Sequence, residues 1–502
     1  MYTFIISLIV LVLGYVLYGV LVEKIFGADS KVATPATTKA DGVDYVALPA
    51  WRIFLIQFLN IAGLGPIFGA IMGIFYGPAA FLWIVFGTIF AGGVHDYLSG
   101  MISVRKGGAS LPEIVGDELG GGVKQLMRIL SLVLLILLTT TFLSGPASLL
   151  HGLARSVSAQ AWILIIFAYY VLATLLPIDK LIGRFYPLFG AILLFMGLGI
   201  MVVMLGWHAA DMPELTDGLH NRQTNGLPLF PMMFVSIACG AISGFHGTQS
   251  PIMARCITNE RQGRWIFYGA MVAEGMLALV WAAAAGSFFG GIEGLQTFAA
   301  EHQGENIAAL VIDRISRTWL GKVGGILAII GVIAAPVTSG DTALRSARLI
   351  VADFLHLDQK AIRKRLYISL PLFALVFAMT FVNFDVVWRY FAWTNQTLAV
   401  FTLWTATVFL FKMEHGNKME HGMELEHGTG RSSYRYGYFI SFLPALFMTM
   451  VSVSYILIAP EGLHLPVEWR WIGYVIAGVV TLATLIGFSV WANKYARKIV
   501  KL

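Results

Sequence analysis

Apolar residues along this chain do not alternate with polar ones at the period of a half-buried strand or of a surface helix. They come in unbroken blocks of about twenty residues, the length a helix needs to cross a bilayer core. Short polar and charged segments separate the blocks. The pattern predicts thirteen spans, near 2–22, 53–76, 79–101, 127–149, 160–177, 186–207, 229–257, 265–289, 323–344, 367–383, 387–411, 437–459 and 470–493. One block departs from the rest. Between apolar ends, residues 229–257 carry the polar centre Cys239-Gly-Ala-Ile-Ser243-Gly-Phe-His246-Gly-Thr248-Gln249-Ser250-Pro251. At membrane depth, backbone freed from a helix is tolerated only where it lines a cavity or is buried in protein. This span is therefore predicted to be a helix interrupted to present backbone groups to a ligand.

Composition turns the pattern into a class. With 58% apolar and 12% charged residues and a mean hydropathy of +0.76, the sequence is an all-α polytopic membrane protein, with the lipid bilayer as its first partner. A net charge of +6 would suggest nucleic acid in a soluble protein, but here the cations sort by side. If the spans alternate from an outside amino terminus, 27 of the 34 Lys and Arg fall on the inner side. That bias predicts a multi-pass protein of the cytoplasmic membrane with its carboxyl terminus inside and no nucleic-acid partner. The first 27 residues have no basic leader and no A-x-A site, so they read as a retained helix. Cys239 and Cys256 lie in one span and read as buried small residues, with neither a disulfide nor a metal cluster indicated. Nucleophile-elbow, zinc-protease, phosphate-loop and Rossmann patterns do not occur, which argues against an enzyme and against ATP-driven transport. No cofactor is expected beyond an ion gradient. The sequence does not specify an oligomeric state.

The second span repeats the theme of the seventh. Phe58-Leu-Asn-Ile61-Ala62-Gly63 matches Phe234-Val-Ser-Ile237-Ala238-Cys239 at an offset of 176 residues (234 minus 58), and each run leads into a break rich in glycine and proline. Ser144-Gly145 and Ser339-Gly340 echo each other at the ends of the fourth and ninth spans. Breaks five spans apart imply two five-helix units of opposite orientation. The predicted organisation is a peripheral helix and loop at 1–52, repeats at 53–228 and 229–411, a cytoplasmic His/Glu-rich loop at 412–436, and two further helices at 437–502.

Several blocks resemble one known family in residue type and order. They are Gln57-Phe-Leu-Asn-Ile-Ala-Gly63-Leu-Gly65-Pro66-Ile-Phe-Gly69, Gly92-Gly-Val-His95-Asp96-Tyr, Arg105-Lys106, Gly247-Thr248-Gln249-Ser250, Thr338-Ser339-Gly340-Asp341-Thr342 and Trp393-Thr394-Asn395-Gln396. Together, across roughly residues 30 to 410, they are similar to the signature blocks of the carbon starvation protein A family. The resemblance implies the five-plus-five inverted repeat of leucine-transporter-like proteins. It also implies secondary import of pyruvate or short peptides, driven by protons.

The residues support a site on their own terms. Gly63, Gly65 and Pro66 allow carbonyls near Ala62 and Gly63 to leave the helical ladder, whereas Gly69 and Gly73 read as plain close packing. Ser243, His246, Thr248 and Gln249 supply polar groups beside a half-helix amino terminus, whose positive end suits the carboxylate of a small-molecule substrate. For coupling, Glu274 lies near mid-depth, where a carboxylate must be paired, protonated or wetted. His246 competes for that role, and Asp96 and Asp341 lie toward the cytoplasmic ends of their spans, the latter spaced to pair with Arg345. Thr338 and Ser339, with the Ala62 carbonyl, are the sodium alternative to proton coupling. Trp393, Asn395 and Gln396 either contact substrate and close the outer path or form an interhelical clamp.

Two features are set aside. His415, His421 and His427, beside Glu414, Glu420 and Glu426, recur every six residues, a period that does not put ligands on one helix face. Ser110-Leu-Pro112-Glu113 predicts a helix start with a capping box. The function classes that remain are a secondary transporter, with a channel or a membrane receptor as less suitable alternatives.

Overall fold

The computed structural model describes residues 1–42, 44–175, 178–357, 361–415 and 435–500, and among these it contains helices and no strand. Most of the 412–436 loop, including His421 and His427, lies outside the described residues. In hydrocarbon a helix satisfies its own backbone, so the Leu/Ile/Val/Phe/Ala blocks become α1 (Tyr2–Phe26), α2 (Ala50–Ile61), α3 (Gly65–Gly73) and α4 (Ala79–Arg105). They continue as α5 (Gly121–Leu153), α6 (Ala159–Leu175), α7 (Ile178–Trp207), α8 (Leu229–Ser236), α9 (Ala238–Ala241) and α10 (Gly244–Ala254). The remainder are α11 (Glu260–Phe288), α12 (Ile307–Leu355), α13 (Ile362–Met379), α14 (Phe384–His415), α15 (Phe439–Ile458) and α16 (Arg470–Val500). Helix falls on each of the thirteen predicted spans. Among the described residues, eight helices are by themselves long and apolar enough to cross a membrane, and the bent pair at 50–76 makes a ninth.

Burial sorts core from periphery. The apolar window of α4 and that of α11 are each 83% buried, against 17% for α16 and 28% for α1, whose Ile6, Ile9, Leu17, Val479, Leu482 and Ile486 face outward. Exposed aliphatic rows of that kind need lipid around them.

Both predicted breaks are present. α2 stops at Ile61, residues 62–64 are irregular, and α3 resumes with Pro66 in its first turn, where a missing N–H costs nothing. The axes of the two halves differ by 47°. In the seventh span, Ile242 (φ −160°, ψ 137°) and Ser243 (φ −141°, ψ 125°) are extended, so α9 and α10 are separate helices. The two interrupted spans cross in opposite directions, with α3 packed on α8 and α9, and α2 packed on α10. Glycine permits the approach. A Cβ on Gly65 would lie 2.3 Å from Cys239 Sγ, one on Gly69 would lie 2.6 Å from the Ser236 carbonyl oxygen, and one on Gly73 would lie 2.1 Å from Ile237 Cγ1.

One local expectation is corrected. Ser110 does precede a helix, Leu111–Leu119, but its side chain makes no cap hydrogen bond. Glu113 instead turns to Arg128 and Lys124, because two cations on α5 offer a carboxylate more than a lone backbone N–H does.

Candidate substrate and coupling site

The site is built around the start of α10. Extended backbone at Ser243 aims the first N–H groups of α10 away from its own helix, toward α14. There Asn395 Oδ1 accepts from the Phe245 N–H at 2.7 Å and from Ser243 Oγ at 3.0 Å. The next residue, Gln396, donates its Nε2 to the Ile242 carbonyl at 3.0 Å. Consecutive amides on α14 thus satisfy both sides of the break. Placed this way, Asn395 and Gln396 tie α14 to the break. Trp393, about 200° around the helix from Asn395, is half-buried and takes no part in it.

One residue further along α10, His246 lies between two acids. Its Nδ1 is 2.9 Å from Asp96 Oδ2 on α4, and its Nε2 is 3.4 Å from Glu274 Oε2 on α11. His95 Nδ1 approaches the other Asp96 oxygen at 2.8 Å. All four side chains are fully buried. The protons can be counted from the geometry. When Nδ1–H donates to Asp96, Nε2 faces Glu274 either as a second N–H, with Glu274 ionised, or as a lone pair, with Glu274 protonated. These states share one proton along His246 and Glu274. Removing it sets a lone pair against a carboxylate in a buried site, where such contacts are costly. Three predicted coupling residues, Asp96, His246 and Glu274, therefore form one chain. His95, adjacent to Asp96 in sequence and in the same signature block, joins it.

The other candidates fall nearby or elsewhere. Thr248 donates to the Phe245 carbonyl at 2.7 Å, and Gln249 donates to Thr248 at 3.1 Å and to Ser346 at 3.2 Å, so both tie α10 to itself and to α12. At the first break, Ala62, Gly63 and Leu64 are buried, and a Cβ on Gly63 would lie 2.6 Å from the ring of Phe142. Ser339 donates to the Leu59 carbonyl at 3.0 Å, three residues before Ala62, while Thr338 returns its hydroxyl to Ala334 and Ala335 at 2.9 Å. Among the described residues there is no group of three or more His, Cys, Asp or Glu placed to hold a metal. Asp341 lies apart from the α10 cluster and accepts from Tyr186 at 2.6 Å, and Tyr186 in turn meets Tyr169 at 3.2 Å. Arg345, four residues on from Asp341, bonds Asp44 at 3.5 Å. Sequence spacing gave no sign of the tyrosines, which come from α6 and α7.

Both ends of the site are covered. Toward the face carrying Met1, Phe142, Phe391, Trp388 and Phe68 follow one another in tilted and edge-on contact, with neighbouring ring centroids 5.4 to 6.3 Å apart. Toward the opposite, Lys/Arg-rich face, Gln57 meets Ser250 at 3.3 Å, Asp44 meets Arg345 and Arg348, and Arg105 holds Glu260 at 3.1 Å. Lys106 pairs with Asp117 and Glu118 there. Burial works against its charge, but the two carboxylates hold its ammonium above the usual lysine value.

Comparison with known proteins agrees with this architecture. The family model "Carbon starvation protein CstA" matches residues 1–151 and 146–319. An uncharacterized membrane protein of Haemophilus influenzae is 45% identical over 337 residues, covering 57% of this chain and 91% of that one. The pyruvate/proton symporter BtsT of Escherichia coli is 27% identical over 55% of this chain and 47% of its own length. The peptide transporter CstA of Campylobacter jejuni is 27% identical over 56% of this chain and 49% of its own length. The chain thus spans about half the length of these two named transporters. A manganese transporter from Eremococcus coleocola shares the fold, with a TM-score of 0.58 at 15% identity over 92% of this chain and 99% of that one. A multi-pass helical chain with two crossed, broken spans, matched by the family model over more than half its length, belongs to the carbon starvation protein CstA family, whose named members are transporters and not enzymes.

Proposed function

We propose that this protein is a proton-coupled secondary transporter that imports a small carboxylate of the pyruvate type, or short peptides, across the cytoplasmic membrane. The observation that carries the reading is His246, buried between Asp96 and Glu274 one residue after the N–H group that begins α10. The substrate carboxylate binds at the start of α10, where N–H groups and the helix dipole favour negative charge. A second negative charge is tolerable there while His246 and Glu274 hold their shared proton. Once that proton leaves, Glu274 faces a bare imidazole nitrogen and the site disfavours an anion, which drives release. The names of two relatives, a pyruvate/proton symporter and a peptide transporter, support the substrate classes.

In this reading residues 53–228 and 229–411 are the two inverted repeats, a division supported by the opposed crossing of the broken spans. The Lys/Arg-rich face is cytoplasmic, and Met1 is outside. Layers closing both ends of the site favour alternating access over a continuous pore. Sodium is the second reading. Ser339 beside the end of α2, with Thr338 and the Ala62 carbonyl, would supply its oxygens.

The test is uptake by the full chain in proteoliposomes, comparing pyruvate, other small carboxylates, dipeptides and tripeptides under a pH gradient or a sodium gradient imposed separately. Accumulation under the pH gradient alone, abolished by an uncoupler, is expected. Accumulation under sodium alone would replace the proton reading, equilibration without accumulation would indicate a channel, and binding without flux would indicate a receptor.

A further inference from the structure

We infer that Asn395 is a built-in competitor of the substrate carboxylate, occupying the start of α10 until an anion displaces it. The inference rests on the proposal that a carboxylate binds there, and it specifies what the incoming group must break.

Three observations carry it. First, two donors converge on one oxygen: the Phe245 N–H at 2.7 Å and the Ser243 hydroxyl at 3.0 Å both point to Asn395 Oδ1, the disposition a single carboxylate oxygen would satisfy. Second, the seat is shaped for that occupant. A Cβ on Gly244 would fall 2.3 Å from the Asn395 carbonyl oxygen and 2.5 Å from Leu398 Cβ, so only glycine lets α14 come so near the helix start. Asn395 Nδ2 rests 3.6 Å from Cys239 Sγ, on the far side of the break. Third, the surroundings are left incomplete. Gln396 Oε1 and Glu274 Oε1, the carboxylate oxygen turned away from His246, are fully buried polar atoms without a hydrogen-bond partner among the described residues. Buried acceptors of this kind call for a donor, which a peptide N–H, an ammonium or water entering with the substrate supplies.

Hydrogen bonds to an ionised acceptor are roughly twice as strong as those to a neutral one. A carboxylate can therefore replace the carboxamide at the same two donors. Displacement also frees α14 from α10, so that the arrival of substrate loosens the contact between the two helices. A neutral isostere of the substrate lacks this advantage and leaves Asn395 seated.

The test uses the purified full-length chain as wild type, Asn395→Ala and Asn395→Asp. The probes are acetate, pyruvate and trialanine, with acetamide as neutral control, and affinities are taken from concentration-dependent thermal stabilisation. Asn395→Ala removes the competitor and is expected to bind the carboxylates roughly tenfold more tightly, with acetamide unchanged. Asn395→Asp, nearly isosteric, places a fixed carboxylate on the same donors and is expected to weaken all three carboxylate-bearing probes tenfold or more. A merely structural clamp would lower stability in both variants without separating acetate from acetamide. Unchanged or weaker carboxylate binding in Asn395→Ala overturns the inference. If that variant does not fold, wild-type carboxylate affinity in Asn395→Asp overturns it. If the binding pattern holds while proteoliposomes take up none of the probes, the substrate assignment fails and the competitor role stands. If uptake occurs but Asn395→Ala binds no tighter, the competitor role alone fails.

Discussion

Gly65→Ala tests directly whether the two interrupted spans meet where the structure places them. In an open helix the change would gain up to about 1 kcal/mol, because alanine is the better helix former. Here the new Cβ lands 2.3 Å from Cys239 Sγ and 2.4 Å from its Cβ, a contact only backbone movement can relieve. Overpacking of this kind costs about 1–3 kcal/mol. The residue before Pro66 is also biased away from helical dihedrals, a cost that belongs to position 65 alone. Cys239→Gly removes both offending atoms and leaves only the Cys239 Cα, at an ordinary 3.8 Å. The double variant should therefore recover the clash but not the pre-proline cost, giving a favourable coupling of roughly 1–2 kcal/mol in a double-mutant cycle. Equilibrium unfolding in mixed micelles provides the stabilities, and uptake in proteoliposomes reports whether the crossing is restored. A neutral or stabilising Gly65→Ala, or additivity within about 0.5 kcal/mol, would refute the crossing.

Four further outcomes follow from the same geometry. Glu274→Gln, which keeps the shape and removes the titrating group, should retain substrate exchange across the membrane yet lose accumulation driven by a pH gradient; normal accumulation would shift the coupling role to His246. His246→Gln leaves two buried carboxyl groups without the imidazole between them and should cost roughly 3–5 kcal/mol in unfolding free energy, so a loss below about 1 kcal/mol would contradict the bridged arrangement. Asp44→Asn weakens the ion pairs to Arg345 and Arg348 and should speed efflux from preloaded vesicles, an effect absent if the loop does not help close that face. Ser339→Ala removes one hydrogen bond to the Leu59 carbonyl, about 1 kcal/mol, and should leave proton-driven uptake intact; its loss would assign coupling to the first break.

Much of this architecture is readable in the sequence because the bilayer imposes it. A span must be about twenty apolar residues, and a break must be compensated, so Gly63, Gly65 and Pro66, and later Ser243 and His246, mark themselves as exceptions. Pairwise geometry is different. Nothing in the spacing of Asp96, His246 and Glu274, on α4, α10 and α11, says that one imidazole touches both acids, because the contacts depend on how three separate helices pack. The same limit applies to Asp341. Its i+4 spacing points to Arg345 and says nothing of Tyr186, more than 150 residues away, which donates to it, or of Asp44 on a loop, which bonds the same arginine. Asn395 and Gln396 were legible as polar residues in an apolar span. Their service to opposite sides of one break was not, since it depends on α14 approaching within glycine distance of α10.

The two breaks differ in the partners they recruit, and the difference bears on how transport is coupled. Around the first, the polar neighbours are hydroxyls of α12 and a side-chain amide, groups whose charge does not change. Around the second, the neighbours titrate, and they attach to the residue next to Phe245, whose N–H opens α10. In the proposed mechanism the anion and the proton are thus read by consecutive residues, Phe245 and His246, on a single short helix. A tilt of α10 that pulled Phe245 from its acceptor would also change the distances from His246 to Asp96 and Glu274. No long relay between distant sites is then required, because the element that both ligands bias is the same one. Variants that loosen α10 without touching either ligand, such as Gln249→Ala, which cuts its ties to Thr248 on α10 itself and to Ser346 on α12, should then lower the number of substrate molecules accumulated per proton while leaving substrate affinity near wild type. Affinity and accumulation falling in parallel would place the coupling elsewhere.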